Sequence, residues 1–465
     1  MIDREKRLAN ENVLKLLVSF SVPAIIGMLV NALYNIVDRI FIGQIKDVGD
    51  MAITGVGLTF PISTFTMAFA MLTGIGAAAT ISIRLGQKKK EEAEHILGNA
   101  FVLAIVFAII VSTISLLFID KLLIAFGASD NTFSYAKDYI IIILLGTIFS
   151  MTSFSMNHCI RASGNPKRAA STMLIGAILN TILDPIFIFT FDMGVKGAAL
   201  ATIISQAVSA TWVLSYFILG KSNLKFKVIN FKPNFTIIKS IFAIGASPFS
   251  MQLAASVVSI TANKSLFSYG GDMAIGAMTV INSVSTIFLM PIFGLNQGAQ
   301  PIIGFNYGAK AYDRVKATLK YAITAATVFV IIGFLTVQIF SAQLVKFFND
   351  KEELVNIGSE GIRIYLFMLP IIGFQIISAN YFQSIGKAKV SIFLSLLRQV
   401  ILLIPLYIIL PRIFGTLTSV WFAGPIADAS ASVITFIFIS RELRRLQNAH
   451  TDHKKDIEYI AVNES

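Results

Sequence analysis

The sequence predicts an all-α polytopic membrane protein, with twelve transmembrane helices arranged as two pseudo-twofold-related six-helix lobes. Three observations predict it: an apolar, charge-poor composition, a series of apolar runs of spanning length, and an internal repeat that divides those runs equally.

Composition sets the class. The 465 residues are 55 % hydrophobic and only 14 % charged, and the mean hydropathy is +0.75. A soluble domain of this size needs more charge to cover its surface. A spanning helix needs about 20 predominantly apolar residues, and such runs fall at 14–43, 51–83, 96–119, 138–160, 169–191, 197–219, 237–268, 273–306, 318–346, 359–384, 391–410 and 417–439. Several carry an internal proline (Pro23, Pro61, Pro248, Pro291, Pro370, Pro405), which predicts bent helices whose freed backbone groups find neighbours.

Orientation follows from basic residues. With the amino terminus inside, most of the 38 Lys and Arg fall before span one, after span twelve and in alternate loops. This bias places both termini in the cytoplasm of a cell-membrane protein. It also accounts for the net charge of +12, so nucleic acid is not an expected partner. No cleaved leader is expected, since the charged start runs directly into span one.

The repeat organises the chain. Aligning Pro23 with Pro248 brings Asp38 onto Asn263; farther along, the DMAI at 50–53 matches that at 272–275, Gly76 matches Gly298, Gly86 matches Gly308, Gly164 matches Gly386, and Pro185 matches Pro405. Six spans per repeat is even, so the repeats share one orientation. The expected division is an amino-terminal lobe at 1–219, a basic cytoplasmic linker at 220–239, a carboxy-terminal lobe at 240–440 and a cytoplasmic tail at 441–465.

Other chemistry is thinly represented. A single cysteine, Cys159, excludes an intrachain disulfide framework and a cysteine metal cluster. GIGAAA at 74–79 imitates a dinucleotide fingerprint, but it lies inside a span, where small residues serve helix packing. No GxxxxGK[ST] loop appears, which argues against ATP as the energy source, and no nucleophile–base pair suggests an enzyme. No cofactor and no structural metal are expected.

Intramembrane carboxylates carry the functional signal, because each costs about 2.5–3.5 kcal/mol at a helix centre. The candidates are Asp38, Asp184 and Asp428. Asp38 and Asp184 lie toward the outer ends of spans one and five, and Thr202 enters span six at the same level. Asn180 shares a helix face with Asp184, as Tyr34 and Asn31 do with Asp38. Two carboxylates, an amide and a hydroxyl make a hard-oxygen site for Na⁺ or a shared proton. Structural readings stand beside this one: Asp38 as an interfacial partner of a basic residue, Asp184 as a device around Pro185, Asp428 as a hydrogen-bonding link to another helix, and Asn157, a turn before Arg161, as a packing residue. Asn31, Tyr34, Asn157 and Asp428 are the candidates for a substrate cavity.

These stretches also resemble a known family. PAIIGMLVNALYNIVDRIFIG, TGIGAAATISIRLG, NHCIRASGNPKRA, ILNTILDPIFIFTFDMGVKGAALATIISQ and WFAGPIAD are similar to the multidrug and toxic compound extrusion (MATE) family over essentially the whole chain. The resemblance implies antiport by alternating access, in which H⁺ or Na⁺ entry drives export of small organic cations from a monomer in the bilayer. It places the cation site at Asp38, Asn180, Asp184 and Thr202, with Tyr34 beside Asp38. Another branch of the family uses acids in spans seven and ten. Here those spans offer Gln252, Asn263, Gln375 and Asn380, which argues against an ion site in the second lobe. Rival readings are a lipid-linked precursor or polysaccharide flippase of the same superfamily, which calls for a basic cavity, and a channel or sensor.

Overall fold

The computed structural model describes residues 3–46, 48–220, 222–348 and 351–463. Every regular element among them is helical: α1 (Asp3–Asn10), α2 (Val13–Gly43), α3 (Gly49–Leu58), α4 (Phe60–Gly86), α5 (Lys90–Leu117), α6 (Ile119–Ala125), α7 (Asp130–Leu145), α8 (Thr147–Ala162), α9 (Pro166–Pro185), α10 (Gly194–Ile218), α11 (Phe235–Gly308), α12 (Tyr312–Phe348), α13 (Glu352–Tyr365), α14 (Leu369–Ser384), α15 (Ala388–Leu396), α16 (Ile404–Phe414) and α17 (Leu417–Asn463). Short polar residues start several of them. Asn12 accepts the Leu14 and Lys15 amides at 3.0 and 3.2 Å, and Asn234 caps α11 in the same way. Each satisfies donors that a helix start leaves free.

Nine of the described helices are long and apolar enough to cross a membrane, and two bent pairs, α7 with α8 (53°) and α13 with α14 (51°), raise the number to eleven. The 74-residue α11 breaks at Gly271, where φ is +63°. Unbroken it would run roughly 110 Å, far beyond a bilayer core of about 30 Å. Each limb alone is long enough to span, in agreement with the separate runs 237–268 and 273–306.

The boundaries differ from expectation at two places. Helix α11 begins at Phe235, so the last residues of the expected linker are helical because Asn234 caps them. The chain between α10 and α11 is also tied down: Asn99 of α5 donates to the Asn230 and Lys232 carbonyls at 3.2 Å and accepts the Asn234 amide at 2.9 Å, while Glu94 accepts the Lys225 amide and pairs with Lys227 at 2.6 Å. At the other end, α17 continues without a break to Asn463, so residue 441, where the tail was expected to start, lies within this helix.

The two halves of the chain meet at backbone distance on the side that carries α1. A Cβ built on Gly86 of α4 would stand 1.9 Å from the Phe305 carbonyl oxygen of α11, and one on Gly308 of α11 would stand 2.1 Å from the Ile83 oxygen of α4. These are the glycines paired in the repeat. Only hydrogen fits at both, so the two helices cross in a reciprocal contact. Helix α1 straddles the same seam. Its Leu8 is buried, and Arg314 of α12 donates to the Leu8 and Glu11 carbonyls at 3.1 and 2.8 Å.

Candidate functional site

Four helices converge on the candidate site. Helix α2 supplies Tyr34 and Asp38, α9 supplies Asn180 and Asp184, α10 supplies Thr202, and α7 adds Tyr139, which lies beside both carboxylates and Tyr34. Local chemistry sets the geometry. Pro185 has no N–H to continue the α9 ladder, and the chain passes into a π-helical turn at Ile186–Thr190, a feature often found at functional sites. Helix α10 packs onto that turn through Gly197, whose Cβ would lie 2.7 Å from the Phe187 carbonyl. This approach brings Thr202 to the acid-bearing face of α9.

The contacts are specific. Asn180 Nδ2 donates to Asp184 Oδ1 at 3.1 Å and to Thr202 Oγ1 at 3.5 Å. The Asp38 and Asp184 carboxyls lie within hydrogen-bonding reach of one another. Both are withdrawn from the surface, Asp38 at 8 % and Asp184 at 0 % exposure. Three oxygens, Asp38 Oδ1, Asp184 Oδ2 and Asn180 Oδ1, are buried without a hydrogen-bond partner. A buried carboxylate pair in this state calls for a compensating positive charge. A proton shared between the acids, or one Na⁺ held by the free oxygens with the Thr202 hydroxyl, supplies it. Such hard donors suit those ions.

The remaining candidates lie apart from this cluster. Asp428 pairs with Arg398 in the second half of the chain, and Tyr365 and Tyr407 lie near the Arg398 guanidinium. Asn157 is buried, donates to the Ala169 carbonyl at 2.6 Å and accepts from Arg161 at 3.0 Å; Arg161 in turn reaches Gln297 of α11. Asn31 is exposed, and its carbonyl receives the Asn35 amide at 2.6 Å. Asp38 makes no salt bridge among the described residues, although the charge of Arg39, the next residue, acts on its carboxyl.

The MatE family model matches residues 23–186 and again 248–409, once in each repeat and over well more than half of the chain. The chain belongs to the MATE family. It is 28 % identical over 410 residues to the multidrug export protein MepA of Staphylococcus haemolyticus, covering 88 % of this chain and 90 % of that protein. It is 27 % identical over 432 residues to the MepA of Staphylococcus aureus strain MSSA476, covering 92 % and 95 %. Among solved structures, it resembles a MOP-superfamily transporter of Pyrococcus furiosus described as having a binding pocket of reversed polarity (TM-score 0.89, 25 % identity, 95 % of this chain and 98 % of that one). It also resembles an outward-facing multidrug resistance MATE transporter (TM-score 0.88, 25 % identity, with the same coverage). MATE proteins are transporters, so this chain is a multi-pass membrane transporter and not an enzyme.

Within this MATE protein, the sequence identifies the acids, the amide, the threonine and Tyr34, but misses Tyr139. That residue stands in the apolar run DYIIIILL, where a tyrosine reads as an interfacial anchor. Only the packing of α7 against α10 and α3 brings it to the acids.

Proposed function

We propose that this MATE protein is a monomeric secondary transporter, with both termini in the cytoplasm, that exports amphipathic organic cations in exchange for H⁺ or Na⁺ entering at the Asp38–Asp184 site. One observation carries the reading: two buried carboxyl groups lie close together, and among the described residues three buried oxygens, one each from Asp38, Asp184 and Asn180, have no hydrogen-bond partner. The site therefore prefers to hold a cation, and organic and coupling cations compete for the same charge. When the coupling ion binds from outside, the cargo loses its counter-charge and leaves, and the ion-loaded protein turns inward. Near-complete switching needs about 5.5 kcal/mol of preference between the two states. Neutralising a desolvated pair is an energy of that order.

The export activity named for the staphylococcal relatives supports the cargo class. The test is efflux of a fluorescent cationic dye from proteoliposomes under an imposed pH gradient or an imposed Na⁺ gradient. The expected result is transport driven by one gradient and lost in both Asp38→Asn and Asp184→Asn. Transport that ignores both gradients, with mutants equal to wild type, would return the aspartates to structure and favour the flippase reading.

A further inference from the structure

Helix α2 carries an exposed apolar stripe along its whole length: Leu14, Val18, Val22, Ile26, Leu29, Leu33, Ile36 and Ile40, spaced three or four residues apart. Near its start, α2 is also pressed against α11, where Gly298 meets Ser21 and Gly294 meets Ile25 at backbone distance. A stripe that stays exposed beside that closed contact cannot face the seam between the halves. It faces lipid.

A groove of about 240 Å³ lies along this stripe, between α2 and α9. Leu33 on one wall and Ile178 and Ile182 on the other are 60 %, 57 % and 53 % exposed and form its mouth. Tyr34 and Thr181, both half-buried, also line it. Behind Tyr34, one helical turn on, is Asp38; Tyr34 is close to both carboxylates. Thr181 lies one residue from Asn180, whose side chain binds Asp184. An apolar wall thus adjoins, through Tyr34, the two helices that carry the acid pair.

We infer that this groove seats the apolar moiety of an amphipathic organic cation whose charged end reaches past Tyr34 to the Asp38–Asp184 pair, so that such cargo exchanges with the bilayer between α2 and α9. The inference rests on the antiport reading above and adds the route and the cargo subclass. Charge complementarity argues for this occupant: the lining is apolar, the negative charge lies only at the inner end, and a tyrosine ring at the junction can face a cation. The volume is smaller than the about 300–1,000 Å³ of a site that encloses a whole drug-sized ligand. It therefore takes a part of the cargo, with the rest in lipid or in the acid pocket.

The test compares two cargoes in proteoliposomes: a long-tailed quaternary ammonium dye and a compact, hydrophilic bipyridinium dication. Thr181→Phe and, from the opposite wall, Val30→Phe fill the groove without touching the carboxylates. Each variant is expected to lower kcat/KM for the tailed dye by about tenfold, equivalent to two methylenes losing their site, while export of the compact dication stays within about twofold of wild type, which also reports correct folding. Equal loss of both cargoes in both variants would overturn the inference, because the groove would then not distinguish a tail. Unchanged export of both would overturn it as well and leave only bilayer lipid as occupant. Wild-type protein that exports neither cargo would remove the antiport reading itself, a result distinct from either.

Discussion

Asn180 donates its side-chain amide to Asp184 Oδ1 at 3.1 Å, across one turn of α9. The same nitrogen points to Thr202 at 3.5 Å, so one amide aligns two of the oxygens offered to a cation. Replacing Asn180 with Leu removes this alignment and one free oxygen while keeping the helix. A hydrogen bond to a charged group contributes about 1.5–3 kcal/mol, so the coupling-ion concentration for half-maximal efflux is expected to rise roughly ten- to hundredfold. Initial rates against ion concentration measure it. An unchanged half-saturation would place Asn180 outside the ion site.

Asp428, buried, and Arg398, half-buried, form an ion pair of the second half. Removing one partner leaves the other charge stranded, which costs about 3–5 kcal/mol, whereas replacing both with apolar residues of similar volume is often neutral. Asp428→Asn is therefore expected to lower Tm in detergent, and the double variant Arg398→Met/Asp428→Leu to recover most of that loss. Dye efflux separates the two open roles: a thermally recovered double variant that still transports makes the pair structural, and one that does not gives it a part in transport.

Gly86 and Gly308 exchange close backbone contacts across the two halves. A methyl group at Gly86 would meet the Phe305 oxygen, and overpacking of this kind costs about 1–3 kcal/mol. Gly86→Ala is expected to shift the population toward a state open on the side carrying α1, seen as longer spin-label distances between positions 84 and 310. Distances identical to those of wild type would mean that the seam yields locally without opening.

Glu94 holds the segment between α10 and α11 through Lys227 and the Lys225 amide. The hydrogen bond and charge of Glu94 raise the Lys227 pKa above its ordinary value. The contribution of this pair is thus present below the unfolded lysine value of about 10.4 and is lost only as pH rises through the higher folded value. Hydrogen-exchange protection of residues 222–234, corrected for intrinsic rates, should stay level between about pH 6 and 9, and Glu94→Gln should reduce it throughout. Protection that falls within that range would assign the hold to another group.

The acid site was legible for a physical reason. A carboxylate is costly within an apolar run, so Asp38 and Asp184 stand out against their surroundings, and helical spacing adds Tyr34 and Asn180. Tyr139 gave no such signal, since a tyrosine in a membrane helix is inexpensive. Asp428 stood out as strongly as the other two acids, yet its partner Arg398 lies thirty positions away, on a helix whose facing no local pattern specifies.

What the sequence alone determined is local to each helix: the apolar runs, their repeat, and the place of each polar residue along its run. Hydrophobicity and spacing are local properties, readable one helix at a time. Lateral arrangement was decided by the tertiary structure. Which helix faces which depends on close approaches such as Gly197 on Phe187 and Gly86 on Phe305, and on the π-helical turn that follows Pro185. Those contacts set Asp38 against Asp184, Asp428 against Arg398, and α2 beside α9 with a groove lined by Tyr34 between them, because side chains far apart in sequence meet only when whole helices pack.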